Sequence, residues 1–384
     1  MKNSQKMSRV ARESLALHKK LRGKVGMVSK APLRNMHDLS VLYTPGMAAV
    51  STYLAGNKIE VGNYTMKSNS VAMISDGSAV LGLGNIGWEG ALPVIEGKAV
   101  LAKTFAGVDA FPIVLGTQNT DEIVSAIKAI APTFGGIHLE DISAPRCFEI
   151  EERLKKELDI PVMHDDQWGT AIVVVAGLVN ALKVVGKKME EITVVIAGAG
   201  AAGTAIAKSL LHEGVGDVVL VDSKGVISKK RTDLNVYKQK LAKITNRKGR
   251  TGNLGDAIFG ADVFVGVSQP GILSEEMVRG MKEGAIIFAM ANPVPEIMPD
   301  VAKRAGAAVV ATGRSDFPNQ INNVLGFPGL WRGALDNGVR KFTPEIISNA
   351  AHAIANLIPR PTAHKIIPDA FDKRVVRAVA KAVK

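Results

Sequence analysis

The sequence predicts an α/β protein of two domains, an N-terminal α/β domain over residues 1–160 and a doubly wound parallel-sheet domain over 161–384 that ends in helices. Three observations predict it. Short β-branched runs alternate with longer helical stretches along most of the chain, the pattern of βαβ units. Most of these runs end in glycine, asparagine or an acidic residue, as strands of an open parallel sheet do at a ligand-binding edge. At 384 residues, with 47% hydrophobic and 22% charged side chains, the chain can bury two cores.

Residues 8–22 read as a basic amphipathic helix; residues 1–37 hold a single acid, Glu13, and no apolar signal core follows. In the Gly/Pro-punctuated stretch 39–46, Tyr43 stands before Thr44-Pro45-Gly46 and reads either as a packed ring or as a catalytic hydroxyl. A strand over 71–75 ends at Asp76-Gly77, and Gly82-Leu83-Gly84-Asn85-Ile86-Gly87 leads into a helix over 88–105. That loop is formally a GxGxxG, but Asp109, the acid about twenty positions on, precedes its strand instead of ending it. The loop therefore reads as a tight turn or a substrate contact. Lys98 lies on the following helix with Val94, Ile95, Leu101 and Ala102 three and four residues away. Either its stem snorkels the charge to water, or burial lowers its pKa towards neutrality and makes it a general base.

A strand ending at Leu115 and a helix over 121–130, with Thr120 as expected N-cap, come next. The strand over 136–139 runs into Glu140-Asp141, and after a charged helix over 146–158 the strand over 160–163 runs into His164-Asp165-Asp166. A Gly-Thr turn then opens a long apolar helix over 171–185. A helical crossover makes the two strands parallel, so their C-terminal ends share one sheet edge. Glu140, Asp141, Asp165 and Asp166 gather there. Carboxylates this dense repel unless a cation joins them, and oxygen-only ligands indicate a hard ion, Mg²⁺ or Mn²⁺.

The strand over 192–197 is followed at once by Gly198-Ala199-Gly200-Ala201-Ala202-Gly203, a helix over 202–212, and a strand over 218–221 that ends at Asp222. This order is that of a Rossmann-type nucleotide domain. Gly198, Gly200, Ala201, Ala202 and Gly203 form the turn that meets a pyrophosphate, and Asp222 accepts ribose hydroxyls, so NAD or NADP is the expected cofactor. Later strands over 261–267, 285–290 and 308–311 end in polar or glycine-rich loops. Asn292 and the pair Asn322-Asn323 are candidates for substrate or nicotinamide amide contacts, although turn formation also accounts for Asn292 before a proline.

The net charge of +12 raises the question of nucleic acid, and the densest basic run is 224–250. Only Tyr237 interleaves it with an aromatic ring, so it reads as a solvated face that also steers small anions. A non-catalytic dinucleotide sensor using that face on nucleic acid is the competing class. No uninterrupted apolar run approaches the roughly 20 residues of a membrane span. The one cysteine, Cys147, excludes an intramolecular disulfide and fits a reducing, cytoplasmic setting.

In chain order Tyr43-Thr44-Pro45, the segment 76–87, Gly97-Lys98, Glu140-Asp141, the segment 165–171, the loop 198–203 and the segment 322–329 resemble the malic enzyme family in its short prokaryotic form, over nearly the whole chain. The resemblance implies oxidative decarboxylation of L-malate to pyruvate and CO₂ with NAD⁺ or NADP⁺ and a divalent metal, in a homodimer or higher oligomer. It implies Glu140, Asp141 and Asp166 as metal ligands and Lys98 as the base at the C2 hydroxyl. Asp165 would position Lys98, Tyr43 would protonate the enolate at C3, and Asn292 and Asn323 would stand at the substrate. The N-terminal domain thereby becomes the catalytic, substrate and metal domain. Malolactic decarboxylation to lactate is the enzymatic rival. One departure matters: Ser78-Ala79 stand where larger members carry Glu-Arg, so another cation or backbone amides must meet that substrate carboxylate. Asp222 repels a 2′-phosphate and slightly favours NAD⁺, while Lys224 attracts one.

Overall fold

Two parallel sheets carry the chain in this computed structural model, which describes residues 8–384; the first seven residues of the basic stretch 1–37 lie outside it. The first sheet holds β1 (Ser70–Ser75), β2 (Asp109–Val114), β3 (Gly136–Leu139) and β4 (Val162–His164) in the order β2-β1-β3-β4, all parallel. Helices Gly87–Ala106, Thr120–Ile130 and Arg146–Glu157 make the crossovers. The chain passes from β1 out to β2 and back across to β3, so the order reverses between β1 and β3, where open sheets hold ligands. Leu139 pairs with His164 in register, which sets Glu140 and Asp165, one residue further along each strand, at the same edge.

The second sheet holds β5 (Thr193–Ala197), β6 (Asp217–Asp222), β7 (Gly225–Val226), β8 (Val263–Gly266), β9 (Ile286–Ala289) and β10 (Val309–Thr312). Their order is β10-β9-β8-β5-β6-β7, parallel except for the short β6–β7 hairpin, which the sequence reading lacks. The reversal between β5 and β8 puts the loop after β5 at the switch point.

One helix, Asp165–Val185, joins the two halves. It packs against Ala201–His212 and Pro344–Ala355, and one continuous core takes in Val71, Met73 and Ile95 from the first domain with Ile172, Ile196 and Leu210. Its run Ile172-Val173-Val174-Val175 opposes helix by up to about 0.7 kcal/mol per residue. Full burial of each side chain contributes about 1.5–3 kcal/mol and wins. By length and hydropathy this helix suits a membrane span, but 67% of its apolar stretch is buried within the protein.

Three expectations are corrected. The helix starts at Asp165, so the segment 165–170 is its first turns and not a Gly-Thr turn; Gly169 is there because a Cβ would fall on the Asp165 side chain. The cap of Thr120–Ile130 is Asn119, whose side-chain Oδ1 accepts from the backbone N–H of Asp121 and Glu122. A boundary at residue 160 would cut off β4, which pairs with β3, so the first sheet runs to His164. The C-terminal helix Phe327–Asn337 also returns to the first domain, packing on Gly87–Ala106. At the other end, helices Arg9–Leu21, Met36–Leu42 and Gly46–Gly56 bury none of their residues.

Candidate active site

Lys98 comes from the middle of helix Gly87–Ala106 and does not snorkel; its side chain is 10% exposed. Its Nζ donates to Asp165 Oδ2 at 2.5 Å, lies 3.1 Å from Glu140 Oε1, and sits 4.8 Å from the centre of the Phe327 ring. Burial lowers the pKa of this ammonium, but Asp165 and Glu140 outweigh burial and hold it above its ordinary value. Of the two alternatives read from the sequence, the snorkelled charge and the depressed pKa, the fold builds neither while both carboxylates carry their charge.

Glu140 extends β3 on the same face as His138, two residues before it. Trp331 Nε1 donates to His138 Nδ1 at 3.0 Å, which leaves the imidazole proton on Nε2, 2.7 Å from Glu140 Oε2. Burial pushes His138 down to about 4, so the ring is neutral. On the other side, the Asp141 N–H donates to Asp166 Oδ2 at 2.8 Å, and His164 Nε2 lies 3.0 Å from the same oxygen. Asp141 adopts φ 55°, a left-handed conformation that aspartate tolerates better than most side chains. Asp165 and Asp166 occupy the first turn of their helix, where its N-terminal dipole favours negative charge.

Glu140, Asp141 and Asp166 each bring an oxygen within 4.8 Å of the others. Burial, together with the neighbouring carboxylates, pushes Glu140 up to about 7 and Asp141 up to about 8, so the three resist ionising together. Asp141 Oδ2 is buried without a hydrogen-bond partner. These are the properties of oxygens that can hold a hard divalent cation. A second group, His138, Glu140 and Asp165, is equally close, but both His138 nitrogens are already engaged. Behind the cluster, buried Glu151 accepts from the His164 N–H, Gln167 Nε2 and Trp168 Nε1 at 2.8–3.1 Å, which fixes the strand-to-helix junction.

Beside Ser78-Ala79 stands Arg146, which no sequence signal marked. Its Nη2 donates to Asp76 Oδ2 at 2.6 Å and Ser78 Oγ at 2.8 Å, while its Nε is buried without a partner. Tyr43 is not brought to the cluster. Its ring, at the end of helix Met36–Leu42, is 68% exposed, and the described residues give its hydroxyl no hydrogen bond.

A cavity of about 630 Å³ opens at the second sheet's switch point, lined by Gly198, Gly200, Thr204, Asp222, Lys238 and Ser268 among others. Ala144, Pro145 and Phe148, three to seven residues after Asp141 in the chain, line it as well. Gly198 takes φ 114° and Gly203 has no room for a Cβ against the Gly198 carbonyl, so both glycines are required. Ala201 and Ala202 open helix Ala201–His212 just beyond the lining. Asp222 is already paired, with Arg231 Nη1 at 2.7 Å and Lys238 Nζ at 2.5 Å; Arg231 and Lys224 also hold Asp233, at 2.7 and 3.1 Å. Asn292 and Asn323 do not line this cavity. The turn at Gly82 lies against the Asn292 carbonyl, and Asn323 faces Gly169 above Asp165.

Fold and site together define a two-domain, dinucleotide-binding oxidoreductase with a buried lysine and an acidic cluster beside the cofactor cavity. Residues 22–155 match the family "Malic enzyme, N-terminal domain" and residues 168–384 match "Malic enzyme, NAD binding domain". The chain belongs to the malic enzyme family. It is 58% identical over 374 residues to the bifunctional malic/malolactic enzyme of Bacillus subtilis, covering 97% of this chain and 91% of that protein. It is 45% identical to the NADP-dependent malic enzyme of Rhizobium meliloti, with 97% of this chain spanning 51% of that protein. The crystal structure of the NAD-dependent malic enzyme from Thermotoga maritima superimposes with a TM-score of 0.94 at 50% identity, covering 97% of this chain and 98% of that one.

Proposed function

We propose that this chain oxidises L-malate at C2 with NAD⁺ or NADP⁺ and releases CO₂ to leave pyruvate. The observation that carries the reading is Lys98, held between Asp165 and Glu140 at the edge of the acidic cluster, beside the dinucleotide cavity. Lys98 takes the C2 hydroxyl proton and Asp165 aims its nitrogen, while a bound nicotinamide would accept the C2 hydride. To act as a base the lysine must be neutral. Glu140, Asp141 and Asp166 would hold Mg²⁺ or Mn²⁺, and with their charge so taken up the ammonium would keep only Asp165 as a full partner. When bound, the ion supplies Lewis-acid stabilisation to the oxygen charge that builds up on C2 and then on the enolate. Asn292 and Asn323 orient the substrate, and Arg146 supplies positive charge beside Ser78-Ala79, where the arginine of larger relatives is missing.

Tyr43 returns the proton to C3, and it does so across a contact between two copies. Its ring is exposed, and the helices around it leave Val41, Met47 and Tyr53 partly or largely exposed, as a self-associating surface would. The chain is thus read as a homodimer. For the cofactor, three cations (Lys224, Arg231 and Lys238) face two carboxylates at the ribose end, so Asp222 does not bar a 2′-phosphate and both nucleotides are accepted. Cys147, buried and unpaired, suits a cytoplasmic setting.

The test is turnover of L-malate with Mn²⁺ and each nucleotide. Reduced nucleotide equal to pyruvate, abolished by a chelator, supports the reading. Lactate without net reduced nucleotide points to the malolactic course, which the name of the Bacillus subtilis relative makes the second reading. No turnover with either nucleotide overturns both.

A further inference from the structure

We propose that Trp331 and His138 are positioning residues that orient Glu140 for a divalent cation and keep the imidazole out of the coordination sphere. The inference rests on the metal-dependent reading above.

Trp331 and His138 are both fully buried, lie 193 residues apart in sequence and belong to different halves of the molecule. The indole N–H is a donor only, so at 3.0 Å from Nδ1 it must meet a lone pair, and the imidazole proton is forced onto Nε2. That proton faces Glu140 Oε2 at 2.7 Å. The carboxylate is thereby turned so that Oε1 looks towards Lys98 and the cluster. The tryptophan is itself fixed. Phe342 meets it edge-on at 5.3 Å, and Gly136, at the start of β3, leaves the space its ring fills.

The same arrangement bears on metal choice. An imidazole among carboxylates ordinarily serves Zn²⁺, Ni²⁺ or Cu²⁺ as a ligand, and His138, Glu140 and Asp165 do come within 4.8 Å of one another. With Nδ1 capped by Trp331 and Nε2 protonated towards Glu140, His138 has no free lone pair. The cluster is left with oxygen donors, which suits Mg²⁺ and Mn²⁺. The residue that keeps the site so stands on a C-terminal helix far from it in sequence.

The experiment titrates Mn²⁺ into the full-length protein without substrate, followed by electron paramagnetic resonance, with Zn²⁺ competition and thermal melts alongside. Trp331→Phe keeps most of the ring volume and removes the N–H. Its Mn²⁺ dissociation constant should rise roughly 10–100-fold, as for other groups that orient metal ligands, while Zn²⁺ competes better than in the wild type. His138→Gln keeps an N–H towards Glu140 and should stay close to wild-type Mn²⁺ affinity, whereas His138→Leu should lose it as Trp331→Phe does. A merely structural role predicts lower melting temperatures with unchanged Mn²⁺ affinity, and that result overturns the proposal. If Trp331→Phe does not fold, the Gln and Leu variants decide, and equal Mn²⁺ affinity in the two overturns it. Absence of Mn²⁺ binding in the wild type instead overturns the metal reading on which the proposal stands.

Discussion

Gly169→Ala tests whether Asp165 stands where the mechanism needs it. Gly169 lies inside helix Asp165–Val185, and in an ordinary helix interior alanine is the better residue by about 1 kcal/mol. Here the added Cβ would land on Asp165 Oδ1 and come within 3.2 Å of Asn323 Cβ. Asp165 is fully buried and tied to Lys98 at 2.5 Å, so it cannot move aside without loosening that pair. Overpacking costs about 1–3 kcal/mol, and complete loss of one partner from a buried ion pair costs about 3–5 kcal/mol. With partial relaxation set against the helix-propensity gain, the net loss should be about 2–4 kcal/mol in urea unfolding. Turnover should fall further than stability explains, by about 100-fold, because an error near 1 Å in a catalytic group costs that much. A variant that is about 1 kcal/mol more stable with unchanged kcat would show that Asp165 is not held by the Gly169 gap, since propensity alone predicts that outcome.

Lys238→Ala removes one of the two cations on Asp222 and should raise KM for NADP⁺ up to about fivefold with little change for NAD⁺, as loss of one surface-screened charge contact implies; equal effects on both nucleotides would contradict the cofactor reading. Tyr43→Phe and Lys98→Ala should each be inactive alone, yet random mixing of the two in a dimer should restore roughly a quarter of wild-type turnover, because half the dimers are mixed and each has one complete site. No recovery on mixing would place both residues in one subunit's site. The pair His352–Glu213, 2.8 Å apart, sets a pH test. Its bond to Glu213 raises His352 above its ordinary 6.5, so that contribution is present below 6.5 and is lost as pH rises through the raised value. Although burial raises Glu213, its bonds to His352 and Ser348 hold it below 4.5, so its share is present above 4.5 and is lost as pH falls. The stability difference between wild type and His352→Leu should peak between 4.5 and 6.5, at no more than about 1 kcal/mol because His352 is 43% exposed. A difference that grows above pH 7 would contradict the assignment.

Both sheets were legible because buried parallel strands are short β-branched runs with ligand-bearing residues at or just past their ends: Glu140-Asp141, Asp165-Asp166, Gly198 and Asp222 all stand there. The helix start at Asp165 was not, because a glycine four residues on signals a turn, and only the folded position of the Asp165 side chain explains it. The two-residue strand β7 is too short to leave a pattern. His138 could have been found, since it shares a strand face with Glu140, but Trp331 is joined to it by tertiary packing alone. The partners of Lys98 were hidden for a related reason. Its apolar neighbours on the helix are visible in sequence, whereas the two carboxylates that outweigh burial come from other strand ends. Tyr43 was marked by its motif, yet the helix that carries it buries nothing within one chain.

The most direct measurement of the central claim is the fate of the C2 hydrogen. L-malate deuterated at C2 would be turned over with Mn²⁺ and NAD⁺ or NADP⁺, and both products would be read by mass spectrometry. Hydride loss from C2 followed by decarboxylation predicts one deuterium in each reduced nicotinamide, pyruvate without label, and one CO₂ per nucleotide reduced. Deuterium kept at C2 of lactate with no net reduced nucleotide, or no turnover at all, would contradict it.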